Sequence, residues 1–177
     1  SKATLKRVPI INYKNAKSNK KLLLKWLKSL HCYGFAKMTG CEKKSGTVFK
    51  IAKLFGYVRE TNYGKWFDVK SKSSAVNLAY TNLALRAHTD NPYRNPVPCI
   101  QLLHCVESKV SGGLSTLVDG YTVTEDLKNK YPDFYKILTE VKVRFRFIDK
   151  EVILENISPL IELNEDKSFK QVRFSPR

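Results

Sequence analysis

The sequence predicts an α+β, mainly β fold: a double-stranded β-helix (jelly roll) with helices at its N-terminal side, the barrel incomplete within these 177 residues. Three features point there. Helix-period apolar spacing dominates the first third, whereas short strand candidates separated by proline and glycine dominate from about residue 57. His88 and Asp90 stand two apart at the end of an apolar stretch, so an extended backbone turns both toward one side. A barrel is the natural host for such a pair, because its mouth encloses small ligands. The last strands that would close it do not appear.

Taken in order, residues 8–13 read as a short strand. Ser18 is placed to cap a helix over 19–30, in which Leu23, Trp26, Leu27 and Leu30 share a face while Lys20, Lys21, Lys25 and Lys28 occupy much of the rest. That pattern fits a helix packed on a core better than one lying on a membrane surface. Gly34 ends it, residues 35–38 form a strand, and Gly40 turns the chain. Ser45 caps a second helix over 47–55, stopped by Gly56. Residues 76–80 and 83–88 are extended, Pro92, Pro96 and Pro98 impose a loop, and strands follow at 99–106 and 115–119. Asp119-Gly120 is a turn that fixes the start of the next helix, which Thr124, Glu125 and Asp126 open and which resumes from Pro132 to about 139. Val141, Val143, Phe145 and Phe147 alternate with Lys142, Arg144 and Arg146, the clearest period-two strand in the chain. Residues 152–163 and 168–174 form a hairpin around 164–167.

The length suits one domain, and 42% apolar residues supply a core. No apolar run reaches membrane-spanning length and the start lacks a secretory signal, so no membrane association is expected. Cys32, Cys41, Cys99 and Cys105 have no zinc-site spacing and suit a reducing, cytoplasmic setting. The net charge of +16 invites a nucleic-acid reading, but 24 of the 32 basic residues are Lys, whereas phosphate forks and base edges favour Arg. The charge is also lopsided: residues 1–59 hold 15 Lys and Arg against one acid, Glu42, a net of +14, leaving +2 for the remainder. A Lys-rich solvated surface explains this best, with docking of an acidic partner second. Nucleic acid is not expected as a partner.

Alone, His88-x-Asp90 is a weak signal, since the spacing recurs by chance. It nonetheless supplies one imidazole and one carboxylate, two thirds of the two-His-one-carboxylate facial site for non-haem Fe(II). Its surroundings are more telling. The stretch from Asn77 through Tyr80, His88-Thr89-Asp90-Asn91-Pro92-Tyr93 and Pro98, then Gln101-Leu102-Leu103-His104-Cys105 and Gly112-Gly113 through Asp119-Gly120, closely resembles the γ-butyrobetaine and trimethyllysine hydroxylases of the taurine dioxygenase superfamily. The resemblance is densest over 56–145, with several spaced motifs agreeing in order.

The resemblance implies a jelly-roll oxygenase in which 2-oxoglutarate chelates Fe(II), O2 is activated, and a substrate C–H bond is hydroxylated with release of succinate and CO2. On this likeness His88 and Asp90 are the first two iron ligands. Tyr63, Phe67 and Tyr80 fall at the positions of an aromatic cage for a trimethylammonium group, and Asn77 at that of an asparagine that holds the substrate carboxylate. Ring faces suit a quaternary ammonium, which cannot donate hydrogen bonds. Phe67 departs from the animal enzymes, which carry tryptophan there; Trp66 beside it points the opposite way on an extended segment. Leu103 and Ser115 fall at 2-oxoglutarate-lining positions, while they read equally as a core and a turn residue. His104 is expected to be a hydrogen-bonded strand residue rather than a ligand, and His31 a structural residue at a helix end. Ascorbate and self-association into a homo-oligomer are compatible with the likeness.

The family's distal histidine and 2-oxoglutarate-binding arginine have no counterpart here, so the chain is expected to be a single catalytic-domain fragment, helix-rich and basic over 1–56 and β-rich over 57–177. Alternatives are an oxygenase for another small molecule, or a degenerate, non-catalytic binding protein that uses the basic N-terminal face.

Overall fold

The computed structural model describes residues 7–69, 85–108, 111 and 114–175. The chain divides into two compact units, residues 1–68 with 102–109, and residues 69–101 with 110–177.

In the first unit β1 (Ile10–Asn12) pairs in parallel with β2 (Lys37–Thr39), Ile11 opposite Met38. A parallel pair needs a crossover, and two helices make it. Asn12 ends β1 and caps α1 (Tyr13–Ser18), its side-chain oxygen accepting from Lys14 N at 2.9 Å. Asn19 then caps α2 (Lys20–Tyr33), accepting from Leu22 N at 3.0 Å. The expected cap at Ser18 is therefore corrected by one residue: its hydroxyl closes α1, donating to Lys14 O at 2.9 Å. Leu23, Trp26, Leu27 and Leu30 lie half-buried on one side of α2, with Lys20, Lys21, Lys25 and Lys28 exposed, as the spacing predicts. Trp26 donates from Nε1 to Lys37 O at 3.2 Å and stacks on Phe55, which fastens α2 to β2. Gly34, at φ 76°, takes the left-handed turn that terminates α2.

α3 (Thr47–Ala52) is shorter than expected and is entered through Gly46 at φ 79° without a side-chain cap. Ser45, the anticipated cap, instead donates to Asp68 Oδ2 at 2.7 Å. Thr47 and Ile51, one turn apart, are both buried. Among the described residues of this unit, Ile11 and Ala16 are the other buried ones.

The second unit holds α4 (Gly120–Lys130), α5 (Pro132–Glu140), β3 (Val143–Ile148), β4 (Ile153–Ser158), β5 (Ile161–Leu163) and β6 (Phe169–Val172). Asp119 caps α4 with both carboxylate oxygens, accepting from Tyr121 N at 3.0 Å and Thr122 Oγ1 at 2.7 Å. The Thr122 hydroxyl in particular holds this carboxyl below its ordinary pKa. Asp119-Gly120 is thus the helix-starting turn read from the sequence, and α4 begins four residues ahead of Thr124. Pro132 opens α5 at its first position, where its missing N–H is harmless. α4 packs on β6 and α5 on β5, with Tyr121 edge-on to Phe169.

β3 alternates as predicted from Val143 on, with Val143, Phe145 and Phe147 half-buried and Arg144, Arg146 and Ile148 exposed, whereas Val141, expected in the same strand, is the exposed C-cap of α5. Its antiparallel partner is β4, with Phe145 opposite Asn156. The single strand expected over 152–163 is in fact two, β4 and β5, separated at Pro159, which has no N–H to continue a ladder. Only β5 forms the hairpin with β6 around 164–167, where Lys167 sits at φ 63°.

Among the described residues the sheets are three two-stranded pairs, and no closed barrel forms. The strands expected at 99–106 and 115–119 are irregular instead, and so are residues 85–88; 76–80 lie outside the described residues. Ile100, Leu103, Leu114 and Leu117 are 67%, 78%, 94% and 68% exposed. An apolar alternation makes a strand only where a partner completes its ladder and covers its face. Among the described residues no helix is long and apolar enough to cross a membrane.

With so few apolar side chains buried, each carries much of the packing. Ile11→Ala is expected to cost about 2–4 kcal/mol in urea unfolding, whereas Leu24→Ala, at a position 54% exposed, should shift the midpoint by less than about 0.5 kcal/mol.

Candidate metal centre

His88 and Asp90 converge in the second unit, His88 Nε2 lying 3.2 Å from Asp90 Oδ1. The other ring nitrogen, Nδ1, lies 2.7 Å from Arg86 O. A carbonyl only accepts, so Nδ1 carries the proton and Nε2 is left as the donor atom that faces the carboxylate. Both ring nitrogens thus confront acceptors, and a neutral imidazole can answer only one of them. A proton on each ring nitrogen satisfies both acceptors as an ion pair, and a cation between Nε2 and Oδ1 does so as well. Two donors bound at about 2.1 Å and at right angles to a divalent first-row ion stand about 3 Å apart, close to the separation observed. The Nδ1–H to carbonyl bond is also the usual outer support of a metal-bound histidine. The residues therefore fit a metal ion, and the side chains, 28% and 49% exposed, leave it accessible. Among the described residues no third His, Cys, Asp or Glu joins them.

The segment that carries the pair is irregular rather than a strand, and two hydrogen-bonded anchors hold it. Thr89, between the two donors, gives its N–H to Phe174 O at 2.8 Å, and its hydroxyl accepts from Phe174 N at 2.9 Å. Beyond Asp90 the chain turns at Asn91, φ 52°, whose side-chain oxygen accepts from the Tyr93 hydroxyl at 2.6 Å. The Tyr93 ring stacks on Phe147 of β3 with centroids 5.1 Å apart. Arg173, 1% exposed, then reaches across from the end of β6. Its Nη1 donates to Pro92 O at 2.9 Å and Arg94 O at 2.7 Å, its Nη2 to Asn95 Oδ1 at 3.5 Å, and its Nε to Glu162 Oε2 at 3.4 Å. Nothing in the local sequence marks Arg173, since Lys170-Gln171-Val172-Arg173 reads as an ordinary solvent-edge strand.

Glu162 is the charge partner of this buried guanidinium. Burial pushes its carboxyl upward, but hydrogen bonds from Lys170 and Gln171 and the charges of Lys170 and Arg173 outweigh that and hold it below its ordinary value of 4.5.

The remaining sequence-derived positions are distributed over the two units. In the first unit Tyr63 and Phe67 do come together, ring centroids 5.3 Å apart and tilted by 38°. Trp66 faces elsewhere, its ring lying over Gly46, where an added Cβ would stand 3.4 Å from it. Asn77 and Tyr80 lie outside the described residues. Leu103 belongs to the first unit and is exposed, Ser115 to the second and is also exposed. His104 is half-buried in the first unit on an irregular segment, not on the strand expected, and His31 is exposed in the last turn of α2.

An imidazole and a carboxylate two residues apart and 3.2 Å from each other are two donors of the type that bind a divalent metal ion. Sequence comparison carries this further: a family model described as Taurine catabolism dioxygenase TauD, TfdA family matches residues 6–177, and the chain belongs to that family. It is 33% identical over 168 residues to the γ-butyrobetaine dioxygenase of Pseudomonas sp. (strain AK-1), covering 95% of this chain and 44% of the relative. Against the γ-butyrobetaine dioxygenase of Homo sapiens the identity is 32% over 172 residues, 96% of this chain and 44% of the relative. The mitochondrial trimethyllysine dioxygenase of Homo sapiens is 31% identical over 144 residues, 81% of this chain and 34% of the relative. The chain thus spans less than half the length of these relatives.

A carboxyl held low in the folded state stabilises it at pH above the unfolded value and ceases to do so as pH falls through the folded one. Thermal stability is therefore expected to decline as pH drops below 4.5 through the depressed value of Glu162. Glu162→Gln should be less stable than wild type at pH 7 and show a smaller loss over that acid range by circular dichroism; an unchanged acid slope would contradict the pairing.

Proposed function

We propose that this chain is part of an Fe(II)- and 2-oxoglutarate-dependent dioxygenase of jelly-roll architecture that hydroxylates a small betaine such as γ-butyrobetaine, in the manner of carnitine biosynthesis. The observation that carries the reading is the convergence of His88 and Asp90, with Nε2 3.2 Å from Oδ1 and Nδ1 engaged by the Arg86 carbonyl. Membership of a dioxygenase family supports it, and γ-butyrobetaine dioxygenases match nearly the whole chain.

Bound Fe(II), with 2-oxoglutarate, would supply O2 activation at an unactivated C–H bond, yielding succinate and CO2. His88 and Asp90 would hold the ion while leaving its other positions to cosubstrate and oxygen. The Arg86 carbonyl keeps the His88 tautomer in which Nε2 is free to bind. Tyr63 and Phe67 would offer ring faces to the substrate ammonium, joined by Tyr80, with Asn77 toward its carboxylate. Leu103 and Ser115 are proposed for the cosubstrate. The four thiols, free in the structure, suit the reducing cytoplasm.

The test is succinate release by the full-length gene product with Fe(II), 2-oxoglutarate and a panel of γ-butyrobetaine, trimethyllysine and taurine. Turnover is expected with a betaine; none with any betaine refutes the substrate, and none with any compound favours a binding role. His88→Ala should abolish turnover, and near-normal activity would overturn its ligand role. Tyr63→Leu should raise the KM for the quaternary ammonium about tenfold with little change for 2-oxoglutarate.

A further inference from the structure

We propose that Arg173 and Phe174, at the end of β6, are positioning residues for the metal pair, an inference that rests on the metal-binding reading above. Thr89 lies between the two donors, and Phe174 holds it through both its N–H and its hydroxyl. Fixing Thr89 at two points sets the rotation of the peptide units on either side, and hence the direction in which His88 and Asp90 face.

One grip would leave the downstream leg free to swing about Asp90. Arg173 removes that freedom by taking the carbonyls of Pro92 and Arg94 and the side chain of Asn95. The guanidinium suits the task because its donors lie in one rigid plane and reach several acceptors at once, which an ammonium on a flexible stem does not. At 1% exposure it is sealed from any ligand, so its influence on metal binding passes through the backbone it holds. Glu162 balances its charge and ties the clamp to β5.

The experiment is a Co(II) titration, followed by ligand-field absorption, of wild type, His88→Ala, Arg173→Lys and Thr89→Val, with far-UV circular dichroism on each. Wild type is expected to bind Co(II) in a manner that His88→Ala abolishes. Arg173→Lys and Thr89→Val should weaken binding about tenfold or more and shift the absorption bands while keeping the wild-type dichroism. Wild-type affinity and spectrum in both folded variants would overturn the positioning role and leave the metal site standing. If Arg173→Lys loses the wild-type dichroism, Thr89→Val, which leaves the guanidinium in place, decides by the same criterion. Absence of His88-dependent binding in wild type would refute the metal reading itself, and the clamp with it.

Discussion

A guanidinium with essentially no exposed surface is expensive to bury, several kcal/mol after relaxation, and tolerable only when its donors are answered. Arg173 is answered by two carbonyls and an asparagine oxygen from residues 92–95, 78 to 81 positions upstream, and by the Glu162 carboxylate 11 positions upstream. The same contacts therefore do two things at once: they attach the β5–β6 hairpin to the 92–95 loop, and they fix the backbone leaving the metal pair. A well-packed apolar pair at such a place would often be as stable. What it would not do is capture those particular carbonyls, which fixes the position of the ligand segment as well as its attachment.

Local signals were legible where local physics decides the outcome. The apolar stripe of α2, its stop at Gly34, the alternation of β3 and the turn at Asp119 all follow from the spacing of a few neighbouring residues. The cap of α2 was less legible, because the Ser18 hydroxyl expected there donates back to Lys14 O and Asn19 accepts from Leu22 N instead. The break between β4 and β5 was written in the sequence at Pro159 but masked by the apolar run around it. Arg173 could not be read at all, since the groups that make it a buried residue lie far upstream.

The metal pair shows the same division. Two donors two residues apart were legible, as was the side they share. The support was not: the extended strand expected to carry them is an irregular segment held by hydrogen bonds to Phe174 and Arg173. Residues 99–106 and 115–119 state an ability to form strands, yet a strand exists only with a partner, and Leu103 and Leu117 stand in solvent instead. The rings of Tyr63 and Phe67 meet beside a short turn in which Thr61 and Gly64 pair.

The bonds between Thr89 and Phe174 span 85 residues of chain. At a synthesis rate of about 5–20 residues per second, the second partner leaves the ribosome roughly 4–17 s after the first. During that interval Thr89 lacks both of its bonds to Phe174, so the arrangement of His88 and Asp90 is completed only once the β5–β6 hairpin has formed and docked.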